Sequence, residues 1–180
     1  TWPLKYIGLG EIAVLLVWGP LMVGGGYFVI AGGLWNWNVV IASLPYALGV
    51  TTVIFGKHID KFAEDKAKHI HTLPVILGEK LSRAMVLGMM ILSYLSTIYL
   101  VSIGFYTPIM LLVLFALIVF KDTWKVYRRP RPTEKPADYP AEAWPIWFVG
   151  YSFVHNRRFG LLYLVGLIGE VVLRLVFPVI

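Results

Sequence analysis

The chain has 180 residues, of which 58% are hydrophobic and only 14% are charged, with a formal net charge of +6. Soluble domains carry about 25% charged residues, and the apolar residues here form long uncharged runs. This pattern excludes a soluble globular domain, a disordered chain and a nucleic-acid-binding domain. The absence of cysteine excludes disulfides and thiolate metal sites. The composition therefore predicts a polytopic membrane protein with no nucleic-acid partner.

Five stretches of the sequence are apolar over approximately the 20 residues that a transmembrane helix needs. None of them alternates polar and apolar residues as a barrel strand would, and a backbone in lipid must satisfy its own hydrogen bonds. We therefore predict an all-α, polytopic transmembrane helix bundle. The five predicted spans are residues 10–30, 38–55, 83–104, 108–120 and 159–177.

Basic residues are concentrated in the connections on one side of this five-span arrangement. Lys5, six residues of loop 57–83 and eight residues of loop 121–158 make fifteen of the sixteen Lys and Arg. The positive-inside rule makes that side cytoplasmic, with the N-terminus inside and the C-terminus outside the cell (inner) membrane. Within the second loop, segment 144–154 is predicted to lie along the interface, next to a basic cluster at residues 155–158.

Three acidic residues lie close together in loop 57–83, namely Asp60, Glu64 and Asp65. On a helix Asp60 and Glu64 would share a face. Paired carboxylates at a membrane surface are typical ligands of Mg²⁺, which often links a protein to phosphate groups. The alternative interpretation is an ordinary solvated helix, in which these acids form ion pairs with neighbouring lysines.

Lysines and histidines alternate with these acids. Lysines of the loop could neutralise the remaining charge of a diphosphate-bearing substrate; they are Lys57, Lys61, Lys66 and Lys68. The loop histidines, His58, His69 and His71, also allow a zinc site, although no fourth ligand accompanies them.

Two carboxylates fall inside or beside predicted spans, where a charge is costly and suggests a function. Glu170 has Arg174 four residues later, so an ion pair within one helix is the simplest interpretation. Glu11 has no such local partner and could cap a helix or face a cavity. The sequence contains no phosphate-binding loop, dinucleotide fingerprint or nucleophile elbow.

Several segments of the sequence resemble those of a known protein family. The stretch LKYIGLGEIAVLLVWGPLMVGG, the acidic loop and TLPVILG at residues 72–78 are similar to the UbiA-type intramembrane prenyltransferases, most of all to the branch that prenylates 1,4-dihydroxy-2-naphthoate in menaquinone synthesis. The resemblance runs from about Leu4 to Gly78 and continues to the C-terminus by helix spacing. It departs at Lys61, where an Asp is common, and at His69, where a glycine is usual.

The resemblance implies a nine-span bundle around a lateral cavity, with two Asp-rich motifs that bind the diphosphate of a polyprenyl donor through Mg²⁺. It places Asp60, Glu64 and Asp65 in the second motif, as catalytic and metal-binding residues. Substrate contacts are implied for Lys57, His58, Lys61, Lys66, Lys68 and Glu11. The first motif has no counterpart in the sequence, which begins without an initiator Met. We therefore expect residues 1–180 to form the C-terminal portion of one prenyltransferase-like bundle.

Two hypotheses about function remain open. The first is Mg²⁺-dependent transfer of a polyprenyl group from its diphosphate to an aromatic acceptor, in which residues 1–180 act together with a further half of the enzyme. The second is a non-catalytic integral subunit derived from this family, which packs with other membrane subunits and holds a quinone or a pigment. A transporter is weaker, because only Glu11, Glu170 and Arg174 could line a path.

Overall fold

The computed structural model describes residues 3–177, and most of these residues are helical. Four of the helices are long and apolar enough to cross a membrane, and they confirm the predicted helix bundle. They are α1 (Gly10–Ile30), α2 (Trp37–Asp60), α5 (Glu79–Ser102) and α7 (Phe148–Val176). Between α2 and α5 lie two short helices, α3 (Phe62–Ala67) and α4 (Leu73–Leu77).

The shortest predicted span is a 3₁₀ helix, Pro108–Ala116, that continues into the α-helix α6, Leu117–Tyr127. Its start lies at Glu170 near the end of α7, because Thr107 N–H donates to the Glu170 carboxylate at 2.9 Å. Its end lies at Ser152 near the beginning of α7, where the Tyr127 and Ser152 hydroxyls are 2.6 Å apart. The segment therefore runs antiparallel to α7 over about 27 Å of helix length.

Local sequence explains how the long helices begin and bend. The Asn36 side chain accepts a hydrogen bond from Asn38 N–H at 2.8 Å and so caps the start of α2. In α1 the hydrogen bonding widens to a π-helix over Val17–Gly24, which contains Pro20. Proline lacks the N–H that an α-helix needs and clashes with the preceding turn, so the wider turns follow from this residue.

Helix α7 begins eleven residues earlier than the predicted last span, at Phe148. The prediction of an interfacial segment over 144–154 is therefore wrong from Phe148 onward, and the predicted loop 121–158 is helical at both ends. His155, expected in an interfacial basic cluster, is buried in the bundle and its Nε2 lies 2.9 Å from the Tyr94 hydroxyl. The charges of Arg157 and Arg158 ended the apolar run in the sequence, so the prediction started the last helix after them.

The bundle core has two parts, one at each end. The part near the charged loops contains Phe55, Ile59, Val86, Leu87, Met90, Tyr127, Trp147 and Phe148. The other part contains Tyr94, Leu100, Tyr106, Met110, Val113, Ala116, Phe159 and Tyr163. We call the first end of the bundle the basic end and the second the far end. At the far end the predicted Glu170–Arg174 ion pair is present at 2.7 Å.

Gly56 of α2 packs directly against the backbone of α7. A Cβ atom on Gly56 would lie 2.9 Å from the backbone N and Cα of Val149 and 2.8 Å from the Tyr127 hydroxyl. Backbone atoms cannot rotate out of the way, so any larger residue forces α7 away from α2. The contact at Gly56 therefore fixes the spacing of the two helices that carry both cavities described below.

We expect Gly56→Ala to lower the thermal midpoint of the purified protein, because overpacking typically costs about 1–3 kcal/mol. Gly88→Ala in α5 is the matched control, since a Cβ there meets nothing within 4 Å and alanine favours a helix by up to about 1 kcal/mol. Midpoints measured side by side in detergent should fall for the first variant and stay or rise for the second. Equal midpoints for Gly56→Ala and the wild type would contradict the close packing.

Candidate functional site

A cavity of about 670 Å³ opens between α1, α2 and α7. Its wall is almost entirely apolar, and its few polar groups include two tyrosines from the far end. The Tyr106 and Tyr163 hydroxyls are 2.9 Å apart, and Tyr163 donates to the Ala42 carbonyl at 2.7 Å. Asn156 and Arg157 also line this apolar cavity. Its shape and chemistry suit an extended hydrocarbon or an aromatic ring rather than a hydrophilic solute.

A second cavity, of about 400 Å³, lies at the basic end. We call it the charged pocket, since five of its lining residues are ionisable. They are Lys57, Asp60, Lys61, Glu64 and Arg131. Pro145, Ile146 and Val149 complete the wall, so the linker before α7 and the first turn of α7 close one side of the pocket.

The two cavities lie along the same seam between α2 and α7. On α2 the lining residues Ala42, Tyr46 and Lys57 fall on one helical stripe, and on α7 the same holds for Val149 and Gly160. Tyr46 and Lys57 are roughly 16 Å apart along the α2 axis. The charged pocket and the apolar cavity are therefore neighbours along one pair of helices.

The structure gives Asp60 a different position from the predicted metal site. Its two carboxylate oxygens accept hydrogen bonds from the N–H groups of Trp147, Phe148 and Val149, at 3.0, 2.9 and 3.0 Å. Asp60 therefore caps the N-terminus of α7, where a negative charge is also favoured by the helix dipole. Both oxygens of the Asp60 carboxylate are thus hydrogen-bonded to the start of α7, and its predicted role as a metal ligand stays a prediction.

The other two predicted acids are not assembled around Asp60. The chain breaks helical geometry at Lys61, so Asp60 ends α2 and Glu64 belongs to α3. Glu64 is exposed in the charged pocket, whereas Asp65 is mostly buried and lies outside that wall. Among residues 3–177 no group of three His, Cys, Asp or Glu side chains could hold a metal ion. In the same range none of the predicted lysine–acid pairs of this loop forms an ion pair.

The predicted basic residues separate into two groups. Lys57 and Lys61 line the charged pocket, whereas Lys66 and Lys68 are exposed outside its wall. Arg131 joins the first group, and the sequence analysis missed it because it lies in a proline-rich linker 70 residues away from Lys61. The Arg131 guanidinium stacks over the Trp144 ring at 4.9 Å and donates to the Asp60 carbonyl at 3.2 Å.

Glu11 and His58, both predicted to contact substrate, are in contact with each other. The Glu11 carboxylate is buried, and its Oε1 lies 2.6 Å from His58 Nδ1 and 3.3 Å from the N–H of Leu73. Neither residue lines the apolar cavity or the charged pocket. Together with a short β-bridge between Ile7 and His71, this contact attaches the end of the acidic loop to α1.

The linker beside the charged pocket is held by aromatic packing. Tyr139 lies 4.9 Å from Trp147 between ring centroids, and its hydroxyl donates to the Ile146 carbonyl. Burial raises the pKa of Tyr139, and the nearby Tyr151 and Asp60 act in the same direction against Arg131. The Tyr139 hydroxyl therefore stays protonated at neutral pH and remains a hydrogen-bond donor.

A family model described as the UbiA prenyltransferase family matches residues 1–148. The chain belongs to this family. The membership agrees with the resemblance of residues 4–78, and with an all-helical membrane bundle.

Relatives within the UbiA family match roughly half of the chain. A UbiA prenyltransferase domain-containing protein 1 from Ailuropoda melanoleuca is 32% identical over 91 residues, which cover 51% of this chain and 27% of the relative. A 2-carboxy-1,4-naphthoquinone phytyltransferase from Synechocystis is 28% identical over 94 residues, 52% of this chain and 30% of that protein. The chain thus spans about three-tenths of the length of these relatives. No solved structure gives a significant match.

Proposed function

We propose that this chain is part of an enzyme that transfers a polyprenyl group from polyprenyl diphosphate to an aromatic acceptor, 1,4-dihydroxy-2-naphthoate in menaquinone biosynthesis. The observation that carries the proposal is the position of the two cavities along the α2–α7 seam, with a charged pocket at the basic end and a large apolar cavity further along. Family membership supports the reaction class. The name of the Synechocystis relative, a naphthoquinone phytyltransferase, supports the class of acceptor.

In this proposal the two cavities of the seam bind different parts of the donor. Lys57 and Lys61 bind the diphosphate and stabilise the charge that develops on it as the allylic carbon–oxygen bond breaks. The apolar cavity holds the hydrocarbon chain and excludes water from the allylic carbon, so that the acceptor ring rather than water attacks it. The positive-inside rule would place the charged pocket on the cytoplasmic side.

Magnesium dependence is also part of the proposal. Mg²⁺ is usually held by one or two carboxylates together with substrate phosphates, and bound there it would neutralise diphosphate charge. Of the three predicted acids, Glu64 and Asp65 accept no hydrogen bond from the α7 N-terminus and are the first candidates to hold it, with Asp60 beside them at the start of α7. Further ligands would come from the substrate and from parts of the protein outside this chain.

The test is a transfer assay on the full protein in lipid nanodiscs, with geranylgeranyl diphosphate, dihydroxynaphthoate and either Mg²⁺ or EDTA. We expect prenylated product only with Mg²⁺. The double variant Lys57→Ala/Lys61→Ala should lose about 100-fold in kcat/KM, since each charge-assisted contact contributes about tenfold. Lys121→Ala/Lys125→Ala removes the same charge from exposed positions of α6 and should leave kcat/KM unchanged.

Two outcomes would overturn the proposed function. Absence of product from any polyprenyl diphosphate, with quinone or pigment retained through purification, would favour the non-catalytic subunit. Equal losses in the two double variants would show that overall charge, not the pocket, supports activity.

A further inference from the structure

The linker between α6 and α7 forms one wall of the charged pocket. Its Arg131 reaches the pocket from a segment rich in proline, and Trp144 from the same linker stacks on the guanidinium at 4.9 Å. Trp144 in turn lies 6.3 Å from Tyr139 and 6.3 Å from Trp147 between ring centroids. This aromatic cluster fixes Trp144 against the first turn of α7.

Arg131 differs from the other cations of the pocket in how firmly it is held. Lys57 and Lys61 are exposed, and no hydrogen bond of their ammonium groups is present among the described residues. The Arg131 guanidinium is half-buried, packed on one face, and uses one of its five N–H donors on the Asp60 carbonyl. Four donors remain in a fixed plane, which is the arrangement that binds two phosphate oxygens at once.

The acids of the pocket leave this charge uncompensated. The Asp60 carboxylate is occupied by the three amides of the α7 N-terminus. Within residues 3–177, Arg131 forms no ion pair with any carboxylate. Glu64 is thus the one free carboxylate of the wall, against three cations. A pocket with this excess of positive charge selects a multivalent anion.

We propose that Arg131 binds the diphosphate of the donor directly and that Trp144 is a positioning residue that holds the guanidinium in the pocket. The inference rests on the proposed function, and it adds the α6–α7 linker to the donor site. Because the stacked guanidinium is pre-oriented, it loses little side-chain entropy when the anion binds. Removing the stack should therefore weaken binding even though the charge is still present.

Equilibrium binding of inorganic pyrophosphate to the full protein in nanodiscs, with Mg²⁺ present, tests this inference. We expect Arg131→Ala to raise the Kd at least about tenfold, as for loss of a charged hydrogen bond. The Kd of Arg131→Lys should lie between those of the wild type and Arg131→Ala, because an ammonium group keeps the charge but lacks the planar arrangement of donors. Trp144→Leu should raise the Kd about threefold, and the double variant Arg131→Ala/Trp144→Leu should be no weaker than Arg131→Ala alone.

Arg129→Ala is the matched control, because Arg129 is exposed on the same linker and lies outside the pocket wall. It should bind pyrophosphate like the wild type. Transfer kinetics give a second readout, in which Arg131→Ala raises the KM for the donor and leaves the KM for the acceptor unchanged.

Three results separate the possibilities. Wild-type Kd values for Arg131→Ala, with or without a lowered thermal midpoint, would overturn the inference and leave the proposed function standing. Additive losses in the double variant would overturn the positioning role of Trp144. Absence of pyrophosphate binding by the wild type would remove the donor site itself and therefore both proposals.

Discussion

Asp60→Ala should destabilise the basic end of the bundle. The substitution leaves three backbone N–H groups of the α7 N-terminus without their acceptor, at Trp147, Phe148 and Val149. The first two of these residues are buried, so water replaces the carboxylate poorly. Loss of a cap and of charged hydrogen bonds together costs roughly 2–4 kcal/mol, and the thermal midpoint in detergent should fall by several degrees.

Asp60→Asn separates the capping role from a metal-binding role. An amide oxygen still accepts from the α7 N-terminus but carries no charge, so a cap should keep about half of its stabilisation. Asp138→Ala removes an exposed carboxylate of the linker and should leave the midpoint unchanged. If Asp60 instead served mainly as a metal ligand, both Asp60 variants would melt like the wild type in EDTA and would differ from it only when Mg²⁺ is added.

Glu11→Ala should release the end of the acidic loop from α1. The carboxylate is buried and joins three elements, since it contacts His58 of α2 and the Leu73 N–H at the start of α4. Removing one partner of a buried charged contact typically costs about 3 kcal/mol. Because the affected contacts are local, the loss should appear mainly as opening of the loop rather than as unfolding of the bundle.

Hydrogen exchange of amides in residues 66–78 measures this opening. We expect faster exchange there in Glu11→Ala, with protection of α5 unchanged. Glu142→Ala, an exposed carboxylate near the same end of the molecule, provides the comparison and should exchange like the wild type. Unchanged protection of residues 66–78 in Glu11→Ala would show that the Glu11–His58 contact does not hold the loop.

The fold followed from the sequence where its determinants are local. Runs of apolar residues predicted the helices, and the i,i+4 spacing of Glu170 and Arg174 predicted their ion pair, because both signals are contained in one helix. The start of α7 was missed because its determinants are not local. Its first turns are stabilised by buried contacts of Ser152 and His155 with other helices, which hydropathy does not register.

The candidate site was predicted less completely, because tertiary contacts decide the partners of its charges. Spacing indicated that Asp60 belongs with Glu64, yet its partners are amides 87 to 89 residues later in the chain. Lys57 and Lys61, predicted as substrate contacts, both line the charged pocket. Arg131 could not be found from its own neighbourhood, since only the folded linker brings it to Asp60.

The 3₁₀ helix of Pro108–Ala116 is longer than an α-helix with the same number of residues. A 3₁₀ helix rises about 2.0 Å per residue, whereas an α-helix rises about 1.5 Å. Pro108–Ala116 and the apolar first turn of α6, residues 117–120, therefore extend roughly 24 Å, whereas the same residues in an α-helix would extend about 20 Å. The tighter coil is also narrower, and a Cβ on Gly166 or Gly169 of α7 would lie within 3 Å of the side chains of Met110 or Ile109. A chain stretched in this way covers more distance with the same number of apolar residues, which is why a hydropathy window counted in residues underestimates its length.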